Sequence, residues 1–297
     1  MTKARPSVSV YLPTHNRAAL LARAIESVLS QSFTDFELIV VDDGSRDDTP
    51  DIITRFCARD SRVKGLRTAE SQGAPAARNM AIRAASGTYI TGLDDDDEMR
   101  PQRIQELITA FRPEFSLVSS SSIRQTSEWS QLLHPGERII TLDALLHRNI
   151  IGTQALTLRD RIISIGGFDT SFQASQDYDL WIRLVKNFGP AKRISSPSYI
   201  INEHLSASRI SDRKLLGAER ILEKHRGLMK KQHIQSRQLE MLMMSEETLR
   251  TTDFVRLANA ENLADACRYF VTCRAPWLRR VASLARRVTS LMRSPRD

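Results

Sequence analysis

The segment Gly87-Thr88-Tyr89-Ile90-Thr91-Gly92-Leu93 runs without a break into Asp94-Asp95-Asp96-Asp97. This junction constrains the fold more than any other stretch of the chain. A short apolar run that opens on glycine reads as a buried strand. Four adjacent carboxylates repel one another and are costly beside an apolar core without a counter-charge. A strand ending in such a cluster delivers it to the carboxyl edge of a sheet, where open α/β sheets bind ligands. A hard divalent cation, Mn2+ or Mg2+, is the natural neutraliser there, because such ions take carboxylate oxygens. Two Asp-X-Asp registers are available, Asp94/Asp96 and Asp95/Asp97. Taken alone, the run favours a solvated acidic loop, as most charge runs do; its surroundings reverse that reading.

Those surroundings alternate strand and helix. Val8 to Leu12 is a β-branched run closed by Pro13, and Asn16 to Ser30 carries apolar residues at helical spacing. Phe36 to Val41 is a second apolar strand, Asp48-Thr49-Pro50 opens a helix, and Val63 to Arg67 is a third strand. Ala74 to Ala85 is an alanine-rich helix. Alternation of this kind implies a mostly parallel, doubly wound sheet flanked by helices. After Pro113 it loosens: a strand at Leu117–Ile123, a short helix at Leu142–His147 and a helix at Gln176–Lys186 are expected. From about Asp212 the chain is helical, polar and poor in glycine, which is expected to mark the end of the compact catalytic unit.

The net charge of +8 hides an asymmetry between this acidic junction and a basic C-terminal segment. There Trp277, Leu278, Val281, Leu284, Val288 and Leu291 recur at helical spacing among Arg279, Arg280, Arg286, Arg287 and Arg293. A basic amphipathic helix suits an anionic membrane surface, or equally packs on the domain with its arginines in solvent. No apolar stretch reaches the roughly 20 residues of a spanning helix. The N-terminus has no signal-peptide apolar region. Cys57, Cys267 and Cys273 show neither disulfide nor zinc spacing, which fits a reducing cytosol. No nucleic-acid-binding motif is visible, so nucleic acid is not expected as a partner.

Five constellations carry candidate chemistry. Asp42-Asp43-Gly44-Ser45 ends the second strand beside Pro13-Thr14-His15-Asn16-Arg17 at the exit of the first, and together they can line a nucleotide pocket. A carboxylate only accepts hydrogen bonds, so it matches uracil N3–H or guanine N1–H better than adenine N1; an ordinary Asp-Gly-Ser turn is the alternative. Arg78, one turn into a small-residue helix after Gly73-Ala74-Pro75, can pair with phosphates or hold the acidic loop. The acid run is the third constellation. Gly166-Gly167-Phe168-Asp169 followed by Gln176-Asp177-Tyr178-Asp179-Leu180-Trp181 is the fourth. Here Asp177 is the candidate general base or, alternatively, a first-turn acid on the helix dipole, while Asp179 faces away. His204 is a lone histidine that can serve as a second metal ligand.

In this order the pieces resemble family 2 of the inverting glycosyltransferases, with the GT-A fold. Val8 to Arg17, Ser30-Gln31-Ser32-Phe33, Val41 to Ser45, Ala77-Arg78-Asn79, Leu93 to Asp97, Gly166 to Asp169 and Gln176 to Leu184 carry the resemblance, which covers about the first 210 residues. It implies a GT-A domain over 1–210, with a nucleotide-sugar half (1–112) and an acceptor half (113–210), and a helical basic extension over 211–297. It implies roles too. Asp43 would contact the base, and Pro13, Thr14, Asn16 and Arg17 would line the nucleotide pocket with Arg78 nearby. Asp95 would lie by ribose or diphosphate, with Asp94 its rival in the other register. Asp96 and His204 would bind Mn2+ or Mg2+, and Asp177 would be the base. The sequence has Gln176 where the family has the Glu of its Glu-Asp pair.

The implied reaction is metal-dependent, inverting transfer from a nucleotide-diphosphate sugar, best a UDP-sugar, to a glycan or lipid-linked acceptor in bacterial surface-polysaccharide or lipopolysaccharide synthesis. The implied location is the cytoplasm, peripheral on the inner face of the membrane. A sugar-phosphate nucleotidyltransferase would open with a Gly-rich loop where Pro13 to Arg17 stands. A non-catalytic nucleotide- or sugar-binding module would have no use for the acid run, Arg78 and Asp177 together.

Overall fold

The apolar runs at 8–12 and 36–41 lie at the centre of a sheet because both of their faces are covered. The computed structural model describes residues 6–203 and 210–275. β1 (Val8–Thr14) and β2 (Phe36–Asp42) are buried at every position. β3 (Val63–Arg67) and β4 (Tyr89–Gly92) flank them in the order β3-β2-β1-β4, all parallel, and β9 (Thr157–Leu158) closes the β4 edge antiparallel. The two-residue period of a strand sorts side chains between two cores. Val8, Val10, Leu12, Leu38 and Val40 face α1 (Ala18–Leu29) and α2 (Thr49–Arg59). Tyr11, Ile39 and Val41 face α3 (Ala74–Ala84) and, beyond it, α7 (Gln176–Phe188).

Register places Thr14 beside Asp42 and Asp42 beside Arg67, so the three strand ends form one edge, with Leu93 hydrogen-bonded to Tyr11 at the fourth. Two glycines make this edge possible. A Cβ on Gly92 would sit 2.1 Å from the Tyr11 ring and 2.3 Å from Gln154 Oε1. Gly44 has φ +72°, a left-handed turn that only glycine makes cheaply, and a Cβ on it would sit 2.8 Å from the Glu70–Ser71 backbone.

A second sheet lies after the acid run, in the order β5 (Glu98–Met99), β10 (Ala191–Asn202), β6 (Val118–Gln125), β7 (Ser130–Leu133), with β8 (Arg138–Ile140) also paired to β10. The long β10, hidden in sequence by its serines and Pro197, shifts register around that proline and brings Tyr199 and Asn202 beneath the aspartates. Helices α4 (Arg103–Ala110), α5 (Leu142–His147) and α6 (Arg159–Ser164) complete this half. Ile221 of α8 (Ile210–His225) is fully buried in the same core as α7. Beyond it, α9 (Lys231–Met244), α10 (Thr251–Leu257) and α11 (Leu263–Arg274) share a separate small core of Leu239, Leu249, Leu257 and Ala266. Among the described residues no helix is long and apolar enough to cross a membrane.

The opposite, amino edge is tied by one buried acid. Glu37 accepts from Ser9 Oγ (2.6 Å), Ser86 N (2.6 Å) and Lys64 Nζ (2.6 Å). Burial alone would raise its pKa, but these donors outweigh it and bring it down to about 2. A carboxyl depressed in the folded state contributes stability above its unfolded pKa and loses it as pH falls through the folded value. Glu37→Gln is therefore expected to cost about 2 kcal/mol at pH 7. Urea unfolding should show the gap between variant and wild type closing from about pH 4.5 towards pH 2.

Candidate active site

Arg78 is the centre of the site. The Gly73-Ala74-Pro75 start of α3 sets its first turn against the sheet, and Arg78 points under the acid run, almost fully buried. Its Nη2 donates to Asp94 Oδ1 at 2.7 Å, and its Nη1 stands 3.7 Å from Asp177 Oδ1, too far for a hydrogen bond. Its guanidinium lies 5.3 Å from the centre of the Phe168 ring, which meets Tyr11 edge-on. Neighbouring Asn79 exchanges two hydrogen bonds with Phe168, 2.7 Å to its carbonyl and 2.8 Å from its amide, and so pins the Gly166-Gly167-Phe168-Asp169 turn to α3. Burial opposes the charge on Arg78, but Asp177 and Asp94 raise its pKa further.

Asp177 is in the first turn of α7, after a left-handed Ser175 with φ 60°. Burial is the main force on its carboxyl, with Arg78 pulling down and Asp94 pushing up; the result is about 7. Near neutrality it is poised to gain or lose a proton, as a general base requires. Asp179 faces the other way, as expected, into a buried cluster with Arg183, Lys224 and His225.

The four aspartates divide sharply. Asp94 is taken by Arg78 and by Gln154 Nε2 at 3.1 Å. Asp97 turns inward and accepts from Tyr199 Oη (2.8 Å) and Asn202 N (3.1 Å). Burial, with Asp94 and Asp96 close by, raises its pKa well above the ordinary carboxyl range. Asp95 is raised to about 6, first by burial and then by Asp96 and Asp94, against the Thr14 hydroxyl and Arg17. Asp96 is half-buried, 4.0 Å from Arg17 Nη2. Asp95 and Asp96 lie beside Thr14 and Arg17 at the strand ends, and a cation there would offset the negative charge that burial penalises. Oxygen donors of this kind fit Mg2+ or Mn2+.

At the β2 end the structure separates two neighbours. Asp43, the expected base contact, has its carboxylate filled by Ser71 Oγ (2.7 Å), Gly73 N (2.8 Å), Gln72 N (2.9 Å) and Thr68 Oγ1 (3.2 Å). It anchors the loop that leads to Arg78. Asp42 is as deeply buried; one oxygen caps Ser45 N at 2.8 Å, while Oδ2, 3.2 Å from Arg67 Nε, has no hydrogen bond of good geometry. Asn16 has a left-handed φ of 52° and joins the two loops through Ser45 Oγ (2.8 Å) and Arg46 N (2.8 Å). Pro13 and Thr14 are buried beneath this junction.

Sequence patterns do not mark Gln154, Tyr199 or Asn202. Gln154 joins Tyr11 Oη (2.9 Å) to Asp94, and its carbonyl takes a hydrogen bond from the buried Arg103 at 3.1 Å. No local motif marks it. His204 and the basic segment from Trp277 onward lie outside the described residues.

Among the described residues one further trio, Asp143, His147 and His233, holds its possible ligand atoms within 4.8 Å. It is on α5 and α9, outside the Arg78 network. The Lys230 amide donates to His233 Nδ1 at 3.0 Å, so the neutral ring carries its proton on Nε2, which faces Asp143 at 3.3 Å. A metal would need that nitrogen's lone pair. The trio is wired as a histidine–carboxylate contact, not as a metal centre.

Comparison with known proteins agrees with this geometry. Residues 9–172 match the family described as Glycosyl transferase family 2. The Escherichia coli (strain K12) protein named for colanic acid biosynthesis glycosyl transfer, WcaA, is 34% identical over 287 residues, covering 90% of this chain and 99% of WcaA. The Bacillus subtilis (strain 168) protein named for teichuronic acid biosynthesis, TuaG, is 29% identical over 214 residues, 71% of this chain and 81% of TuaG. The chain also aligns with 30% of the length of an Escherichia coli chondroitin synthase, at 30% identity over 71% of its own. Among solved structures, residues 1–349 of Staphylococcus aureus TarS with UDP-GlcNAc superpose with TM-score 0.61 at 19% identity, over 90% of this chain and 81% of the other. A Pyrobaculum calidifontis mannosyltransferase in complex with GDP-Man and Mn2+ gives 0.56 at 20% identity, over 95% and 81%. The fold is GT-A, and the chain belongs to glycosyl transferase family 2.

Proposed function

We propose that this enzyme transfers a sugar from a nucleoside diphosphate sugar to a hydroxyl of a glycan or lipid-linked acceptor, with inversion at the anomeric carbon. One observation carries the reading: a buried carboxylate, Asp177, poised near neutrality beside Arg78. Asp177 takes the acceptor hydroxyl proton as the oxygen forms its bond to the anomeric carbon. The bond from that carbon to the phosphate oxygen breaks, and the nucleoside diphosphate leaves from the opposite face. Arg17 and Arg78 are placed to meet its negative charge. Asp96, with Asp95, would hold Mn2+ or Mg2+, whose chemistry is to neutralise the leaving diphosphate. His204 remains a candidate for the same ion.

The nucleotide pocket is formed by Pro13, Thr14, Asn16 and Arg17 with the β2 end. Asp42 Oδ2 would turn from Arg67 to accept a base N–H, and Asp43 shapes the pocket from behind; an acceptor there favours uracil or guanine. UDP is the preferred nucleotide, in keeping with TarS in complex with UDP and UDP-GlcNAc. The names of WcaA and TuaG support a bacterial surface polysaccharide as the product class. The basic amphipathic segment 277–293 would bring the enzyme to an anionic membrane surface on the cytoplasmic side. The nucleotidyltransferase alternative lacks a glycine-rich loop at residues 13–17, and a binding module has no need of a base poised near pH 7.

Asp177→Asn should lower transfer, measured with a panel of nucleotide sugars and Mn2+, by about 10^2-fold or more. UDP binding by calorimetry should survive; near-wild-type turnover would overturn the assignment. The base acts deprotonated, so kcat/KM should rise with pH to a plateau above about 7. Arg78→Gln removes the charge that lowers this pKa, so its residual activity should show the rise displaced to higher pH. Asp42→Asn should weaken UDP binding about tenfold, whereas an unchanged Kd would return the base contact to Asp43.

A further inference from the structure

We infer that Lys224, on α8, is a positioning residue for the base. This rests on the reading of Asp177 above and extends it to a helix outside the residues 9–172 that match the family.

The α7 first turn has two working sides. One presents Asp177 to Arg78. The other carries Asp179, fully buried and two residues on. Lys224 Nζ lies 2.7 Å from Asp179 Oδ1 and 2.7 Å from Asp169 Oδ2. It therefore bolts the Gly166-Gly167-Phe168-Asp169 turn to the helix that bears the base, with the Phe172 ring 5.1 Å from its ammonium. His225 Nε2 adds a contact to Asp179 Oδ1 at 2.9 Å, and Arg183 holds the other oxygen at 2.7 Å while reaching the Gly167 carbonyl at 2.7 Å.

The same turn is fixed to α3 through Asn79 and Phe168. A closed circuit results: Lys224, Asp169, Phe168, Asn79, Arg78, Asp177 and, through α7, Asp179 back to Lys224. The bolt sets the gap between Arg78 and Asp177 without touching substrate. α8 also bears directly on the start of α7. A Cβ on Gly217 would meet Ser175 Oγ at 2.7 Å and the Ala174 carbonyl at 2.9 Å. Ser175 is the left-handed residue that aims the helix.

The test compares the full chain with Lys224→Met, Lys224→Arg and Gly217→Ala. Lys224 is about a quarter exposed, so its loss is not expected to unfold the protein, and thermal melting checks this. Lys224→Met should lower kcat tenfold or more with the KM for the nucleotide sugar and the Kd for UDP within twofold. The rise of kcat with pH should also move, because Asp177 no longer stands at its wild-type distance from Arg78. Lys224→Arg should recover most of kcat. Gly217→Ala, which leaves every charge in place, should reproduce the kcat loss with UDP binding intact.

Unchanged kcat and pH profile in a folded Lys224→Met would overturn the proposal. So would a kcat loss matched by an equal loss of UDP affinity. If Lys224→Met does not fold, Gly217→Ala decides, and normal kcat there overturns it. Failure of the base reading itself would appear separately, as turnover by Asp177→Asn with Lys224 untouched.

Discussion

A guanidinium that is nearly all buried cannot be left unpaired; breaking such a pair costs about 3–5 kcal/mol. Arg78 therefore dictates where three elements sit. It needs Asp94 from the turn after β4 and Asp177 from α7, and it lies over Phe168 in the turn before α7. One cation faces two carboxylates, so one negative charge is in excess. Asp94, hydrogen-bonded at 2.7 Å and also held by Gln154, keeps the pairing. Asp177, at 3.7 Å and without a hydrogen bond to the arginine, bears the excess. Burial is the main force lifting Asp177, and its longer distance from the arginine leaves that lift less offset.

The same logic sorts the acid run. Four carboxylates on one turn cannot share one environment, and each is stabilised differently. Asp94 belongs to Arg78 and Asp97 to the phenol and amide delivered by β10. Asp95 and Asp96 complete the run, and burial, with Asp96 and Asp94 beside it, raises Asp95 to about 6. Asp94 and Asp97 shape the turn, while Asp95 and Asp96 lie towards Thr14 and Arg17. An Asp-X-Asp pattern read as one ligand pair misses this, because the pairs that face alike are set by the turn, not by spacing.

Most of the parallel sheet was legible because its strands are buried on both faces and carry uninterrupted apolar runs. Arg78 and Asp177 were legible because α3 and α7 have strong helical patterns that fix which side chains share a face. What escaped notice depended on distant pairing. β10 contains Ser195, Ser196, Pro197 and Ser198, a composition that does not announce a strand, so the burial of Asp97 by Tyr199 could not be foreseen. Gln154 has meaning only because Gly92 lets it approach Tyr11 and Asp94. Asp42 and Asp43 are indistinguishable in sequence; they part because the loop at 68–73 bonds to the carboxylate of Asp43 but only to the backbone carbonyl of Asp42. Ile221 lies in the core shared with α7, beyond the composition shift that begins at about Asp212.

Gln176 completes the charge argument. Its Oε1 is buried and lacks a hydrogen-bond partner, next to the base in sequence. A glutamate here would add a third carboxylate to a site with a single buried cation. Like charges disfavour one another's ionisation, so Asp177 would be held protonated to higher pH. A neutral amide avoids that and still presents a carbonyl, which can only accept. Gln176 thus leaves the excess charge at one, and burial with Asp94 close by lifts Asp177 towards neutrality.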